Sequence, residues 1–496
     1  MEENNQQLGV FSRSIHSGKW MAVSMVSQRV LGLATFFVLA RFLKPADYGI
    51  IAIILMVTAV ADRLTSHGLS TALIQQGGDM DSYLDSIWTI DVLKSLALAV
   101  LIFFAAGPVS AFFDIPQALP LLRLGGFLIV LPTLSNVRQI YLFTKLNFKR
   151  IFWRDLSGQI SYSAAAIIWV LFIGADAWAL LAGHFSRLLV SSLFTHFLCP
   201  SRPRLSFNFA PLKKFFSYSK WIVGQNMLDY VNSLIDQFFV GRLLGVASLG
   251  FYSKASDLAS ITRASLLSII GKVGFYAYNF VQDDLPKIQE GFVKSLNIML
   301  MLSIPFSFLI SVEGGAIVLV LLGENWLPLV EPLKILALAN IFIAIYGITY
   351  PLFNSVGRPD INFNMTMLKL FLSLPVFYFS IKFWGTNGAA FAVAVIALIL
   401  LLYATWEARK ILRIGREKIM PSFYHIALSM SPIIILAIGL RPLIHSFNSN
   451  YIIFVWVAFL SLLYTLFFWQ FGRWFPAGPR STVEIIFSEV TSKWRS

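Results

Sequence analysis

The sequence predicts an all-α polytopic membrane protein with about 14 transmembrane helices: two parallel six-helix lobes around a central cavity, plus two C-terminal helices. Three observations carry this. Of the 496 residues, 57% are hydrophobic and 13% charged, with a mean hydropathy of +0.72, where an ordinary soluble domain has roughly a quarter charged. Apolar runs of the roughly 20 residues that cross a bilayer recur from end to end. A short pattern also repeats at a constant offset of 201 residues. The composition excludes a soluble multidomain enzyme, which would expose more apolar surface than solution tolerates. A lone cysteine, Cys199, excludes a disulfide scaffold.

In chain order the runs lie near 20–42, 46–68, 84–106, 118–141, 155–174, 177–198, 219–241, 247–270, 289–312, 332–354, 363–383, 388–406, 425–444 and 451–471. Segments such as 392–402 (AVAVIALILLL) are apolar on every face, unlike the alternating strands of a barrel. Residues 1–19 place Leu8, Phe11 and Ile15 on one helical face before Trp20, the pattern of an interfacial helix. No signal-peptide cleavage pattern follows, so the N-terminus is expected to be retained. Spans 1–6 (20–198) make an N-lobe, a basic linker covers 199–218, and spans 7–12 (219–408) make a C-lobe. A basic loop (409–424), spans 13 and 14 (425–471) and a tail (472–496) complete the chain. With the N-terminus in the cytoplasm, the inner face collects 22 of the 39 Lys and Arg and the outer face 6. The positive-inside rule then places both termini inside. The basic excess faces anionic headgroups and calls for no nucleic acid.

The repeat pairs Arg41-Phe42-Leu43, Ala46 and Gly49 with Arg242-Leu243-Leu244, Ala247 and Gly250, each at the turn between the first two helices of its half. A weaker echo pairs Pro120, Leu121 and Leu124 with Pro332, Leu333 and Leu336. Six spans per half make the repeat parallel, an architecture in which substrate binds between halves and rocking alternates access.

Ionisable groups at bilayer depth cost at least about 2.5–3.5 kcal/mol each, so those retained point to a function. Gln225, Asp229, Asn232, Ser233 and Asp236 share one stripe of span 7, and Ser24, Gln28 and Thr35 one of span 1. Span 6 carries His184, Arg187, Ser191 and Thr195; span 3 carries Asp91 and Lys94. The second helix of each half adds Asp62 with Arg63, and Asp257 with Arg263. Inside the spans Lys and Arg outnumber Asp, which suits an anion, and Arg grips phosphoryl oxygens bidentately. The substrate-binding candidates are therefore Arg29, Arg63, Lys94, Arg187, Lys254 and Arg263, with Gln28, Gln225 and Asn232. A structural ion pair with an Asp is an equal reading for any one of the arginines. Asp62, Asp229, Asp236 and Asp257 are the carboxylates on which an ion gradient would act. His184 reads as a packing donor. No phosphate-binding loop, HExxH, paired CxxC or recognisable Ser-His-Asp set occurs, so no catalysis, metal or cofactor is expected.

The runs 41–76 (RFLKPADYGIIAIILMVTAVADRLTSHGLSTALIQQ), 241–258 (GRLLGVASLGFYSKASDL) and 354–363 (NSVGRPDINF) resemble the Wzx-type, polysaccharide-exporter branch of the multidrug/oligosaccharidyl-lipid/polysaccharide superfamily. They are most similar to colanic-acid-type exporters. The resemblance implies two six-helix lobes and transfer of an undecaprenyl-pyrophosphate-linked oligosaccharide to the outer leaflet of a bacterial inner membrane by alternating access. It implies membrane lipids, a polysaccharide polymerase and chain-length machinery as partners. By analogy with lipid II flippases, spans 13 and 14 would frame a groove for a lipid tail. Two other readings stand beside it: a cation-coupled multidrug or small-metabolite exporter of the same architecture, and a membrane-embedded enzyme or scaffold.

Overall fold

Hydrocarbon offers no hydrogen-bond partners, so a chain of this composition folds into helices that satisfy their own backbones. The computed structural model describes residues 2–65, 81–144, 147–199, 201–207, 213–261, 263, 267, 284–446 and 450–471, and among these no strand occurs. Apart from short pieces between α3 and α4, its α-helices are α1 (Glu2–Leu39), α2 (Pro45–Thr65), α3 (Asp81–Phe112), α4 (Phe148–Phe172), α5 (Ala177–Leu198), α6 (Lys213–Ala259), α7 (Leu285–Leu321), α8 (Val330–Gly347), α9 (Thr349–Ser355), α10 (Pro359–Leu412), α11 (Arg416–Ser446) and α12 (Asn450–Phe471). Among the described residues nine helical segments are long and apolar enough to cross a membrane, and Val23–Leu39 and Val455–Phe467 are shorter apolar helices.

Two of these helices each contain two expected spans. With 54 residues, α10 would measure about 81 Å if straight, far beyond a core about 30 Å thick. It breaks at Gly385 (φ 57°, ψ −136°), between expected spans 11 and 12, in a conformation that side chains oppose. In α6 the break falls at Gly245 (φ 81°, ψ 175°), between expected spans 7 and 8.

The expected fourth span, 118–141, departs from a single helix. It is a series of short α and 3-10 pieces: Pro116–Ala118, Leu119–Gly125, Gly126–Ile129, Val130–Thr133, Val137–Gln139 and Ile140–Thr144. Pro120 and Pro132 remove backbone donors and Gly125-Gly126 adds freedom. Broken backbone is tolerated at this depth where protein covers it, and Leu121, Leu122, Gly125, Gly126, Leu128 and Ile129 are buried. At the N-terminus α1 runs unbroken from Glu2 to Leu39, so the expected interfacial segment and span 1 share one helix.

The chain divides into two compact units: Met1–Leu234 with Leu244–Gly250, and Ile235–Leu243 with Phe251–Ser496. In the first, α4 packs on α1 and α5. Thr35 and Ser163 hydroxyls meet at 2.6 Å across the α1–α4 seam, and Ser161 meets Ser186 across the α4–α5 seam. In the second, α8 packs on α7 and α10, and Ser307 donates to the Ala337 carbonyl at 2.6 Å. Bonds of this kind hold helices together in lipid, each contributing about 0.6–2 kcal/mol.

The 201-residue repeat has a physical cause within the first unit. A Cβ on Gly49 would lie 2.7 Å from the carbonyl carbon of Val246, and a Cβ on Gly250 would lie 2.6 Å from that of Pro45. Pro45 and Val246 are themselves one repeat apart, so the two contacts are reciprocal, as a local two-fold requires. Each copy of the pattern supplies the glycine that admits the other copy's backbone. Gly49→Ala and Gly250→Ala are each expected to destabilise by about 1–3 kcal/mol. Gly107→Ala is the control: nothing lies within 4 Å of its added Cβ, and a helix favours Ala over Gly by about 0.5–1 kcal/mol. Thermal unfolding of the three variants in detergent checks this; equal midpoints would reject the reciprocal contact.

Candidate functional site

In the first unit the polar stripe of span 1 is partly bound up in packing. Gln28 donates to Ser24 one turn earlier at 2.9 Å, and Thr35 is tied to Ser163. Arg29 is half-buried. On α3, Lys94 Nζ lies 3.1 Å from Asp91 Oδ1, the two side chains being 15% and 37% exposed. Arg138 is held 3.1 Å from Asp85. On α5, half-buried Arg187 packs its stem and carbonyl against Gly158 and has the Tyr162 phenol as an electrostatic neighbour. No carboxylate among the described residues pairs with it. The His184 ring meets Tyr162 edge-on at 5.1 Å between centroids. Asp62 and Asp229 are exposed and Asn232 is buried. The side chains of Arg63 and Gln225, and all of Lys272, lie outside the described residues.

In the second unit Asp236 accepts hydrogen bonds from the Tyr252 hydroxyl at 3.0 Å and the Gln237 backbone N–H at 2.8 Å, with Lys369 nearby. Lys254 lies 2.8 Å from Asp257 one turn on, and Lys294 lies 2.8 Å from Glu290. Arg263 differs. Its Nε donates to Asn340 Oδ1 on α8, the Tyr346 phenol is its electrostatic neighbour, and no carboxylate among the described residues pairs with it. Asn340 and Tyr346 escaped the sequence reading. The available signal was a single amide at membrane depth in the otherwise apolar stretch 335–347 (ILALANIFIAIYG).

Six of the cations inside the described spans sort into two kinds. Lys94, Arg138, Lys254 and Lys294 each face a carboxylate at 2.8–3.1 Å, which offsets a half-buried charge without any ligand. Arg187 and Arg263 carry guanidinium groups that no acid among the described residues offsets, and these fit an anion. A separate feature of the second unit is an apolar groove of about 440 Å³ between α7, α11 and α12, lined by residues such as Met301, Pro305, Ile433, Leu460 and Trp469. The Tyr464 hydroxyl donates to the Met301 carbonyl at 2.8 Å in its wall.

These features define a polytopic helical membrane protein with the fold of known transport proteins. A solved lipid II flippase, MurJ in an inward closed conformation, aligns with a TM-score of 0.70 at 15% identity, covering 92% of this chain and 98% of its own. An inward-facing multidrug resistance transporter of the MATE family and MOP superfamily aligns with a TM-score of 0.58 at 16% identity, covering 79% and 98%. The chain belongs to the polysaccharide biosynthesis protein family, whose sequence pattern matches residues 38–331. Its relatives include lipopolysaccharide biosynthesis protein WzxC of Escherichia coli (strain K12), 23% identical over 78% of this chain and 79% of that protein. Succinoglycan biosynthesis transport protein ExoT of Rhizobium meliloti (strain 1021) is 26% identical over 71% of each. Teichuronic acid biosynthesis protein TuaB of Bacillus subtilis (strain 168) is 21% identical over 82% and 84%. The family resemblance read from the three signature runs is confirmed.

Pairing has a measurable consequence at Lys94. Lys94→Met alone strands Asp91 and is expected to lower the thermal midpoint by about 2–4 °C. Adding Asp91→Leu should restore most of that loss. A double variant as unstable as the single one would contradict the pairing.

Proposed function

We propose that this protein is a flippase. It translocates an undecaprenyl-pyrophosphate-linked oligosaccharide, the repeat unit of an exopolysaccharide, capsule or O-antigen, from the inner to the outer leaflet of a bacterial cytoplasmic membrane. The observation that carries the reading is the pair of span guanidinium groups, Arg187 and Arg263, that meet no carboxylate among the described residues. Each is kept at an insertion penalty of at least about 2.5–3.5 kcal/mol, and a diphosphate supplies the acceptor oxygens that would repay it. The names of the relatives, drawn from lipopolysaccharide, succinoglycan and teichuronic acid biosynthesis, support a substrate of the polysaccharide pathway.

In this reading Arg29, Arg63, Gln28, Gln225 and Asn232 complete the contacts to diphosphate and sugar. The apolar groove between α7, α11 and α12 takes part of the hydrocarbon tail. The lobes 20–198 and 219–408 rock to alternate access, both termini stay cytoplasmic, and Asp62 and Asp229 are where an ion gradient acts. A polymerase and chain-length machinery receive the product.

In a host deleted for its own copy of this gene, Arg187→Ala and Arg263→Ala are expected to abolish surface polysaccharide while membrane levels of the protein stay normal. Arg→Lys at either position should restore only part, because an ammonium cannot make the bidentate contact. Full display from both alanine variants would overturn the anion reading. Inverted vesicles supplied with lipid-linked sugar test translocation itself.

A further inference from the structure

The way Arg263 is held differs from the way the paired cations are held, and the difference is chemical. Lys94, Arg138, Lys254 and Lys294 are each fixed by a carboxylate, as in Lys94 with Asp91 and Lys254 with Asp257. That geometry orients the side chain and cancels its charge together. Asn340 orients Arg263 with a neutral amide.

The orientation of that amide is determined. Asn340 is buried, and its Nδ2 donates to the Leu336 carbonyl one turn earlier at 2.8 Å. A flipped amide would set its oxygen against that carbonyl and its NH₂ against the guanidinium N–H, leaving two buried mismatches. Oδ1 therefore faces Arg263 Nε. A guanidinium has five N–H donors in a rigid plane, and this bond engages the one on Nε. The four N–H groups on Nη1 and Nη2 meet no acceptor among the described residues. They form the fork that matches two phosphoryl oxygens.

We propose that Asn340 is a positioning residue for Arg263: a neutral acceptor that aims the guanidinium while leaving its charge and its Nη fork for a phosphoryl group of the substrate. The proposal rests on the flippase reading and adds to it the reason why an amide, and not a carboxylate, stands at this position.

The discriminating variant is Asn340→Asp, nearly the same shape and a stronger partner for arginine. A merely structural role leaves probe binding unchanged, with at most a loss of stability from the carboxylate oxygen set against the Leu336 carbonyl. A positioning role makes it inactive, because the new carboxylate competes with the substrate for the same cation. The test uses the full chain in nanodiscs, with farnesyl pyrophosphate as the binding probe, alongside surface polysaccharide in the deletion host. Asn340→Asp is expected to reach wild-type membrane levels, to bind the probe at least tenfold more weakly, and to lose display. Wild-type binding and display by Asn340→Asp, with Arg263→Ala inactive in both assays, would overturn the positioning role and leave the flippase reading intact. Wild-type behaviour by Arg263→Ala in both assays would overturn the positioning role together with the part of Arg263 in the anion reading, and the same behaviour by Arg187→Ala as well would overturn that reading itself. Should Asn340→Asp be missing from the membrane, Asn340→Ser, which keeps a neutral acceptor, is compared with Asn340→Leu, which has none. Binding by the serine variant and not by the leucine variant is expected; equal binding by both overturns the proposal.

Discussion

The absence of hydrogen-bond partners in hydrocarbon governs this structure at every level. It makes the backbone helical, because a helix is the local way to satisfy its own N–H and C=O groups. The breaks within α6 and α10 therefore fall at glycines with positive φ. The broken segment between α3 and α4 is likewise confined to a region where buried apolar side chains cover it. The same constraint favours polar side chains that find partners, and hydroxyls such as Thr35 and Ser163 become ties between helices.

Applied to charge, the constraint separates structure from function. A cation needed only for packing is stable when a carboxylate one turn away neutralises it, and Lys94 and Lys254 follow that rule. Arg263, held by an amide, keeps its charge in a low-dielectric setting, where its attraction for an anion is larger than in water. A carboxylate at this position would cancel the charge of the arginine, whereas the amide leaves it in place.

The repeat shows how a sequence pattern can encode a contact. The identities at Gly49 and Gly250 are two ends of one reciprocal approach, in which each glycine leaves room for the carbonyl of the other copy at Val246 or Pro45. Where a repeated segment meets its own copy about a local two-fold, a residue type that suits one side suits both.

Much was legible from the chain alone. Composition determined that the protein lives in a membrane, the apolar runs determined helices, and the signature runs determined the family, because each of these is a local property of sequence. The ion pairs Lys94–Asp91 and Lys254–Asp257 were within reach of the same logic, being three residues apart on one helix face. The irregular fourth span was harder to foresee, since its prolines and glycines break a helix only where neighbours cover the freed backbone. Tertiary structure alone decided that Arg263 meets Asn340, 77 residues away, and that Arg187 meets Tyr162 and Gly158 with no acid among the described residues beside it. Helical periodicity tells which face a residue shares with its own helix; which foreign side chain lies opposite depends on how whole helices pack.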